Sequence, residues 1–181
     1  MAMGSLPRAA GPATLRSWGP TDESAVVREA NSRAVWRNLT HVFPHPYTAE
    51  DATKWVAHCL GQDPPRDLVV EVDGQFAGVC GIEVGEGVGE FTGHVGYWLG
   101  EQYWDRGIAT EVIAGFLVYI WETFDVKRLQ AEVFAWNPAS ARVLEKNGFV
   151  REGTRRKAIF KDGELIDEHI YALLRSEAHG R

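Results

Sequence analysis

The segment from residue 96 to residue 136 constrains the fold more than any other part of the chain. It opens with the strand-like run GYWLG, continues with apolar residues at helical spacing from Ile108 to Phe124, and closes with the strand-like run RLQAEVFAW. A strand, a helix and a strand in this order connect two parallel neighbours by a crossover. The sequence therefore predicts a parallel strand pair.

Flanking segments predict antiparallel hairpins and further helices. Asp73-Gly74 joins two β-rich runs, and Asp162-Gly163 joins RRKAIF to ELIDEHIYALL. We also predict helix N-caps at Thr21, Thr48 and Asn137, and a helix end at Gly148. The predicted fold class is α/β, with a mixed, mostly antiparallel sheet and helices on both of its faces.

Length, composition and charge narrow the class of protein. The chain has 181 residues, of which 45% are hydrophobic, and this is enough for one domain. We predict that domain over residues 14–181, after a disordered leader over residues 1–13 that is rich in Gly, Ala and Pro. The net charge of −6 argues against a nucleic-acid partner held through its phosphates. The absence of a membrane-length apolar run and of a signal-peptide core predicts a cytoplasmic protein with no membrane partner.

The cysteines and histidines do not predict a metal site. Cys59 and Cys80 lie far apart in the sequence and match no metal-binding or redox spacing, so we expect buried, reduced thiols. His41 and His45 are four residues apart, but the prolines among them prevent the helix that would align them as ligands.

A glycine stands at the entrance of the central helix, in the run YWDRGIATEV (103–112). The first turn of a helix carries unpaired N–H groups and a partial positive charge, and small residues there let a phosphate approach the backbone. Gly107 and Ala109 supply the small residues, Arg106 a positive charge and Thr110 a hydroxyl. The alternative is a tight turn that uses glycine only for its backbone freedom.

Two motifs together resemble the GNAT acetyltransferase superfamily. Gly107 and Ala109 match the end of its Q/R-x-x-G-x-G/A loop, although Trp104 replaces the leading Gln or Arg. The run NPASARVLEKNGF resembles N-x-x-S-x-x-[VL]-x-x-K-x-G-F, a motif of the branch that contains the ribosomal-protein alanine N-acetyltransferases. The resemblance covers roughly residues 14 to 175 and keeps the order and spacing of the motifs.

The resemblance implies a GNAT-like fold in which acetyl-CoA, the co-substrate, enters between a splayed central pair of parallel strands. It places the pantetheine arm along Tyr97, Trp98 and Leu99. Asn137 would bond the pantetheine or act only as a helix N-cap. The pyrophosphate would rest on the backbone of five consecutive residues: Arg106, Gly107, Ile108, Ala109 and Thr110.

The resemblance also implies candidate catalytic groups. The Leu99 N–H would polarise the thioester carbonyl. Ser140 matches the motif serine, which contacts the cofactor close to its sulfur. It is the candidate acid for the departing thiolate, or is simply a serine in a first helical turn. His94 stands where many relatives carry a glutamate, and histidines exchange protons near neutral pH, so His94 is a candidate base. Glu90 or an ordered water chain are alternatives, as is a purely structural histidine.

The acceptor is expected to be a primary amine, either a protein N-terminus or a small molecule. Trp36 and Phe43 are candidate acceptor contacts or core residues, and Asp167 anchors either an acceptor amine or a loop. Two other classes stay open: a CoA-binding module without turnover, and a nucleotide-phosphate binder that uses the same loop. A homodimer is a further expectation that the sequence leaves open.

Overall fold

The computed structural model describes residues 5–178, which fall into two compact units. Among these residues, the first unit comprises residues 5–81 and Tyr97–Thr123, and the second comprises Ile82–Gly96 and residues 124–178. The predicted single domain over residues 14–181 stays a prediction.

The first unit is built on antiparallel strands. Strands β1 (Arg8–Ala10), β2 (Ala13–Arg16), β3 (Asp67–Val72) and β4 (Gln75–Val84, up to Gly81 in this unit) are neighbours in that order. Asp73 and Gly74 turn the chain between β3 and β4 with φ values of 50° and 72°. Two successive left-handed residues are what a two-residue hairpin needs, so the predicted hairpin is confirmed.

Helices cover both faces of these strands. The first unit contains α1 (Glu23–Ala30), α2 (Arg33–Trp36), α3 (Ala49–Leu60) and α4 (Ile108–Thr123). Val69 of β3 is buried in a cluster with residues of α1 and α3. Ala10, Ala13 and Val72 lie directly opposite one another across β1, β2 and β3, on the other face, where Gly115 of α4 packs against Ala10. The predicted placement of helices on both faces is therefore confirmed in this unit.

The N-terminal part of the chain differs from its prediction. Residues 8–10, expected in a disordered leader, form β1, because Ala10 is small enough to fit under Gly115 and Arg8 pairs with Glu122 of α4. Residues 1–4 of the predicted leader lie outside the described residues. The prediction that Thr21 caps α1 is also wrong, since Pro20–Asp22 form a 3-10 turn and α1 begins at Glu23.

The second unit carries the parallel pair. It contains the start of β5 (Thr92–Leu99), β6 (Arg128–Phe134), β7 (Val150–Lys161) and β8 (Glu164–Leu174), in the order β5-β6-β8-β7. Strands β5 and β6 run parallel, with Thr92–His94 beside Arg128–Gln130, whereas β8 is antiparallel to both of its neighbours. The predicted mixed, mostly antiparallel sheet with a parallel pair is confirmed.

Residues close to each end of helix α5 (Pro138–Lys146) determine where it begins and where it stops. The Asn137 side chain accepts a hydrogen bond from the Ser140 N–H at 3.1 Å, and Gly148 adopts a φ of 88° just beyond the last turn. Leu144 is fully buried, and the Tyr171 hydroxyl of β8 bonds to Glu145 at 3.1 Å.

A short helix, α6 (Arg175–Ala178), follows β8. Within residues 5–178 no helix is both long and apolar enough to span a membrane.

Candidate active site

The loop from Gly100 to Gly107, named here the 100–107 loop, connects the end of β5 to the start of α4. Its first turn, Glu101–Tyr103, is a 3-10 helix. The Gly100 N–H donates to the Ala77 carbonyl at 2.9 Å, and the Tyr103 hydroxyl bonds to the Phe76 carbonyl at 3.4 Å. The loop is therefore tied to strand β4 at two points before it reaches the helix.

Gly107 is left-handed, with a φ of 74°, and its carbonyl accepts the Thr110 N–H at 3.1 Å. A Cβ built on Gly107 would meet no heavy atom of the described residues within 4 Å, apart from those of its neighbours in the chain. The glycine therefore meets a conformational need, and the space beside it is open. Both interpretations of this glycine, tight turn and phosphate approach, are compatible with that geometry.

Trp104 has a role that its sequence position did not reveal. Its indole Nε1 donates to the Leu99 carbonyl at 2.8 Å. The side chain that replaces the motif's Gln or Arg thus fixes the end of β5 against the 100–107 loop. Arg106 lies over the Tyr103 ring at 6.0 Å, which orients its positive charge on the same loop.

The end of β5 brings together several of the predicted residues. A Cβ on Gly78 would lie 2.1 Å from the Trp98 carbonyl oxygen, so only glycine permits this approach of β4. The Trp98 ring lies 5.6 Å from the Phe43 ring in an edge-on arrangement. Phe43, a candidate acceptor contact, therefore borders the strand that carries Trp98 and Leu99. Trp36 precedes Phe43 in the chain, and its ring stacks on that of His45 with the ring centroids 5.6 Å apart.

Asn137 and Ser140 lie together at the start of α5 in the second unit. The 3.1 Å bond between the Asn137 side chain and the Ser140 N–H confirms the N-cap role of Asn137. Pantetheine binding by Asn137 and proton donation by Ser140 remain predictions.

His94 lies on β5 in the second unit, and its side chain is 46% exposed. Its Nδ1 lies 3.4 Å from the Glu132 carboxylate of the neighbouring strand. Glu132 accepts a hydrogen bond from Gln130 at 2.7 Å, and Gln130 accepts one from Arg128 at 3.1 Å. A row of polar side chains at alternate positions of β6 thus ends at His94. Sequence reasoning missed this row, since each member alone is an ordinary outward-facing strand residue.

Asp167 has a structural partner. Its Oδ1 accepts the N–H of Lys157 at 2.9 Å, and Lys157 is a non-glycine residue with a φ of 52° in the irregular part of the β7–β8 pair. This bond supports the strained backbone of the hairpin. It corresponds to the second alternative foreseen for Asp167, that of anchoring a loop.

The two cysteine side chains are confined to the interior. Cys59 and Cys80 are buried free thiols, as predicted, and burial raises the pKa of both above its ordinary value. They are therefore protonated and unsuited to nucleophilic attack. Residues 5–178 contain no group of three His, Cys, Asp or Glu side chains placed to hold a metal ion.

The family of the chain follows from comparison with known proteins. Residues 13–150 match the family model described as an acetyltransferase (GNAT) domain, so the chain belongs to the GNAT acetyltransferases. It is 30% identical over 166 residues to the SPbeta prophage-derived uncharacterized N-acetyltransferase YokL of Bacillus subtilis, covering 91% of this chain and 90% of that protein. The predicted family is confirmed.

Solved structures agree with this result. A GNAT-family acetyltransferase from Bacillus anthracis superimposes with a TM-score of 0.80 at 26% identity, covering 94% of this chain and 99% of that one. RimL, described as a ribosomal L7/L12 alpha-N-protein acetyltransferase in complex with coenzyme A, has the same fold, with a TM-score of 0.80 at 20% identity and coverages of 94% and 98%. The protein is an enzyme, an N-acetyltransferase with the GNAT fold.

Proposed function

We propose that this protein transfers an acetyl group from acetyl-CoA to a primary amine by direct attack in a ternary complex. The observation that carries the proposal is the entrance of α4, where a left-handed glycine with open space beside it precedes a helix of 16 residues. Such a helix terminus is suited to an anionic pyrophosphate.

The donor is proposed to bind along one continuous stretch of chain. Trp98 and Leu99 would hold the pantetheine through their backbone, and Arg106 and the amides from Gly107 to Thr110 would hold the pyrophosphate. The bond from Trp104 to the Leu99 carbonyl supports this proposal, because it fixes the two parts of the stretch relative to each other. Asn137 would add an amide contact to the pantetheine. RimL, which has the same fold, is described as a complex with coenzyme A.

The proposed chemistry is acyl transfer without a covalent enzyme intermediate. The neutral amine attacks the thioester carbonyl, and the Leu99 N–H stabilises the oxyanion that forms. The C–S bond then breaks, the thiolate takes a proton through Ser140, and the amine nitrogen loses one to His94. Glu132, 3.4 Å from His94 Nδ1, would hold the imidazole so that its other nitrogen serves as the base.

The acceptor belongs to the class of primary amines, and both a protein N-terminus and a small amine stay open. RimL is described as a ribosomal L7/L12 alpha-N-protein acetyltransferase, which makes N-terminal peptides the first acceptors to try. The Phe43–Trp98 contact supports an aromatic wall beside the reacting group.

The test is a panel of N-terminal peptides, amino acids and small amines incubated with acetyl-CoA, with release of free thiol as the readout. We expect acetyl-CoA-dependent thiol release with at least one amine and acetylated product by mass spectrometry. Coenzyme A should also raise the melting temperature, whereas ATP and NAD should not. Stabilisation by coenzyme A without turnover across the panel would favour the binding-module alternative, and stabilisation by ATP would favour the nucleotide binder.

A further inference from the structure

Glu29 is a buried carboxylate beneath the 100–107 loop. It lies near the end of α1 and is only 7% exposed. Burying an ionised carboxylate is costly unless hydrogen-bond donors surround it. The groups that donate hydrogen bonds to Glu29 therefore identify the elements that it connects.

Two side chains donate to Glu29. The Gln102 amide lies 3.0 Å from each of its two oxygens, and Arg28 donates to one of them at 2.9 Å. Gln102 belongs to the 100–107 loop and lies 73 residues away in the sequence. The carboxylate thus links α1 to the 100–107 loop.

The loop backbone is also shaped around this carboxylate. A Cβ on Gly100 would lie 2.2 Å from a Glu29 oxygen, so any larger residue at position 100 would require the Glu29 side chain to shift away from the loop. The next loop residue, Glu101, is held by the hydroxyl of Ser32, which also caps α2. Three successive loop residues therefore have their positions set from the α1–α2 region.

We propose that Glu29 is a positioning residue for acyl-CoA binding, which holds the 100–107 loop in the geometry that the pyrophosphate requires. The inference rests on the proposed function and names a residue that contacts the loop rather than the cofactor. A loop ordered in advance loses less conformational freedom when the ligand binds. Glu29 should therefore affect donor affinity and leave the acetyl-transfer step unchanged.

The experiment measures Kd for coenzyme A by calorimetry, together with kcat and KM for two donors, acetyl-CoA and S-acetylpantetheine. The second donor lacks the pyrophosphate. Glu29→Ala should raise Kd and the KM for acetyl-CoA by about tenfold, with kcat nearly unchanged, because the loss falls on loop ordering. Kinetic constants for S-acetylpantetheine should change little. Glu29→Gln keeps one acceptor oxygen and should lie between the wild type and Glu29→Ala.

A double-mutant cycle gives a readout that a general loss of stability would not produce. Gln102→Ala should raise Kd to a similar extent, and the double variant Glu29→Ala/Gln102→Ala should be no worse than either single variant, since both remove the same contact. Glu23→Ala is the matched control, because Glu23 is on the same helix but accepts a hydrogen bond from Thr53 of α3.

Additive effects of Glu29 and Gln102, or equal losses with both donors, would overturn the inference. Normal coenzyme A affinity in a folded Glu29→Ala variant would do the same. Failure of the proposed function itself is a different result, because the wild type would then neither bind coenzyme A nor turn over acetyl-CoA.

Discussion

Gly107 allows a residue-scale test that separates charge from size. Gly107→Glu should abolish coenzyme A binding, because the carboxylate would occupy the open space beside the helix entrance and repel the pyrophosphate. Gly107→Gln has nearly the same volume without the charge and should bind more weakly than wild type but measurably. Both share the strain of a side chain at a φ of 74°, about 1–2 kcal/mol. Calorimetric titration of the two folded variants makes the comparison. Equal affinities in the two variants would contradict an anion site at this turn.

His94→Gln tests whether His94 accepts the proton that the attacking amine loses. Removing a general base in His94→Gln should lower kcat/KM at neutral pH by about 10² and remove the rise of kcat/KM with pH. Because the acceptor amine also loses a proton, acceptors of different basicity must be compared. Retention of near-normal rates, with a rise that follows the acceptor, would make His94 structural and leave positioning and the backbone oxyanion contact to drive catalysis.

Ser140→Ala isolates the proton that reaches the departing thiolate. It should lower kcat with little change in acetyl-CoA affinity, since a group that assists the leaving thiolate acts mainly in the transition state. The Ser140 N–H, which bonds to Asn137, is unaffected by this change, so α5 should keep its cap. Measuring kcat and Kd separately decides the point. A pure loss of affinity would assign Ser140 to donor binding.

At the scale of elements, Asn137 tests whether one side chain both caps α5 and binds the donor. Asn137→Ala should cost about 1 kcal/mol of unfolding free energy, because the bond to the Ser140 N–H is lost, and should also weaken coenzyme A binding. Asn137→Ser is the matched control, because serine caps a helix nearly as well but has no amide. It should keep the stability and lose affinity. Urea unfolding and calorimetry measure the two effects, and normal affinity in both variants would leave only the cap role.

How far the sequence predicts an element depends on whether its determinants are local. Helix α5 has its cap, its Pro138 and its terminal Gly148 within a few residues, and it was predicted with both ends. The hairpin turn at Asp73-Gly74 is local in the same way. Strand β1 was missed because it depends on Gly115, over a hundred residues away. The contacts of Glu29 and Trp104 were missed for the same reason, since only the folded chain brings their partners to them.

At the scale of the whole molecule, stability should depend on pH through two carboxyl groups with opposite effects, the buried Asp22 and the partly buried Asp67. Burial alone would raise the pKa of Asp22, but its hydrogen bonds from Arg16 and from the Gly19 N–H outweigh this and lower the pKa below the ordinary value. Burial dominates at Asp67 and raises its pKa, despite the bond from Gln62. Asp22 therefore stabilises the fold above the unfolded-state pKa of about 4, and this contribution is lost as the pH falls through its lower native value.

Asp22→Asn should accordingly destabilise the protein at pH 7 by roughly 1.5–3 kcal/mol, the range for hydrogen bonds to charged groups. The difference from wild type should shrink as the pH is lowered through the native pKa of Asp22, where the wild-type carboxyl also becomes neutral.

Asp67→Asn is the control, because its effect on stability should depend on pH with the opposite sign. Because the native state disfavours the charged form of Asp67, this variant should gain stability relative to wild type as the pH rises from below 4 towards the native pKa of Asp67. Urea unfolding of the three proteins at several pH values between 2 and 7 measures these differences. A loss in Asp22→Asn that stays constant over this range would show that the Arg16–Asp22 contact contributes through packing rather than through charge.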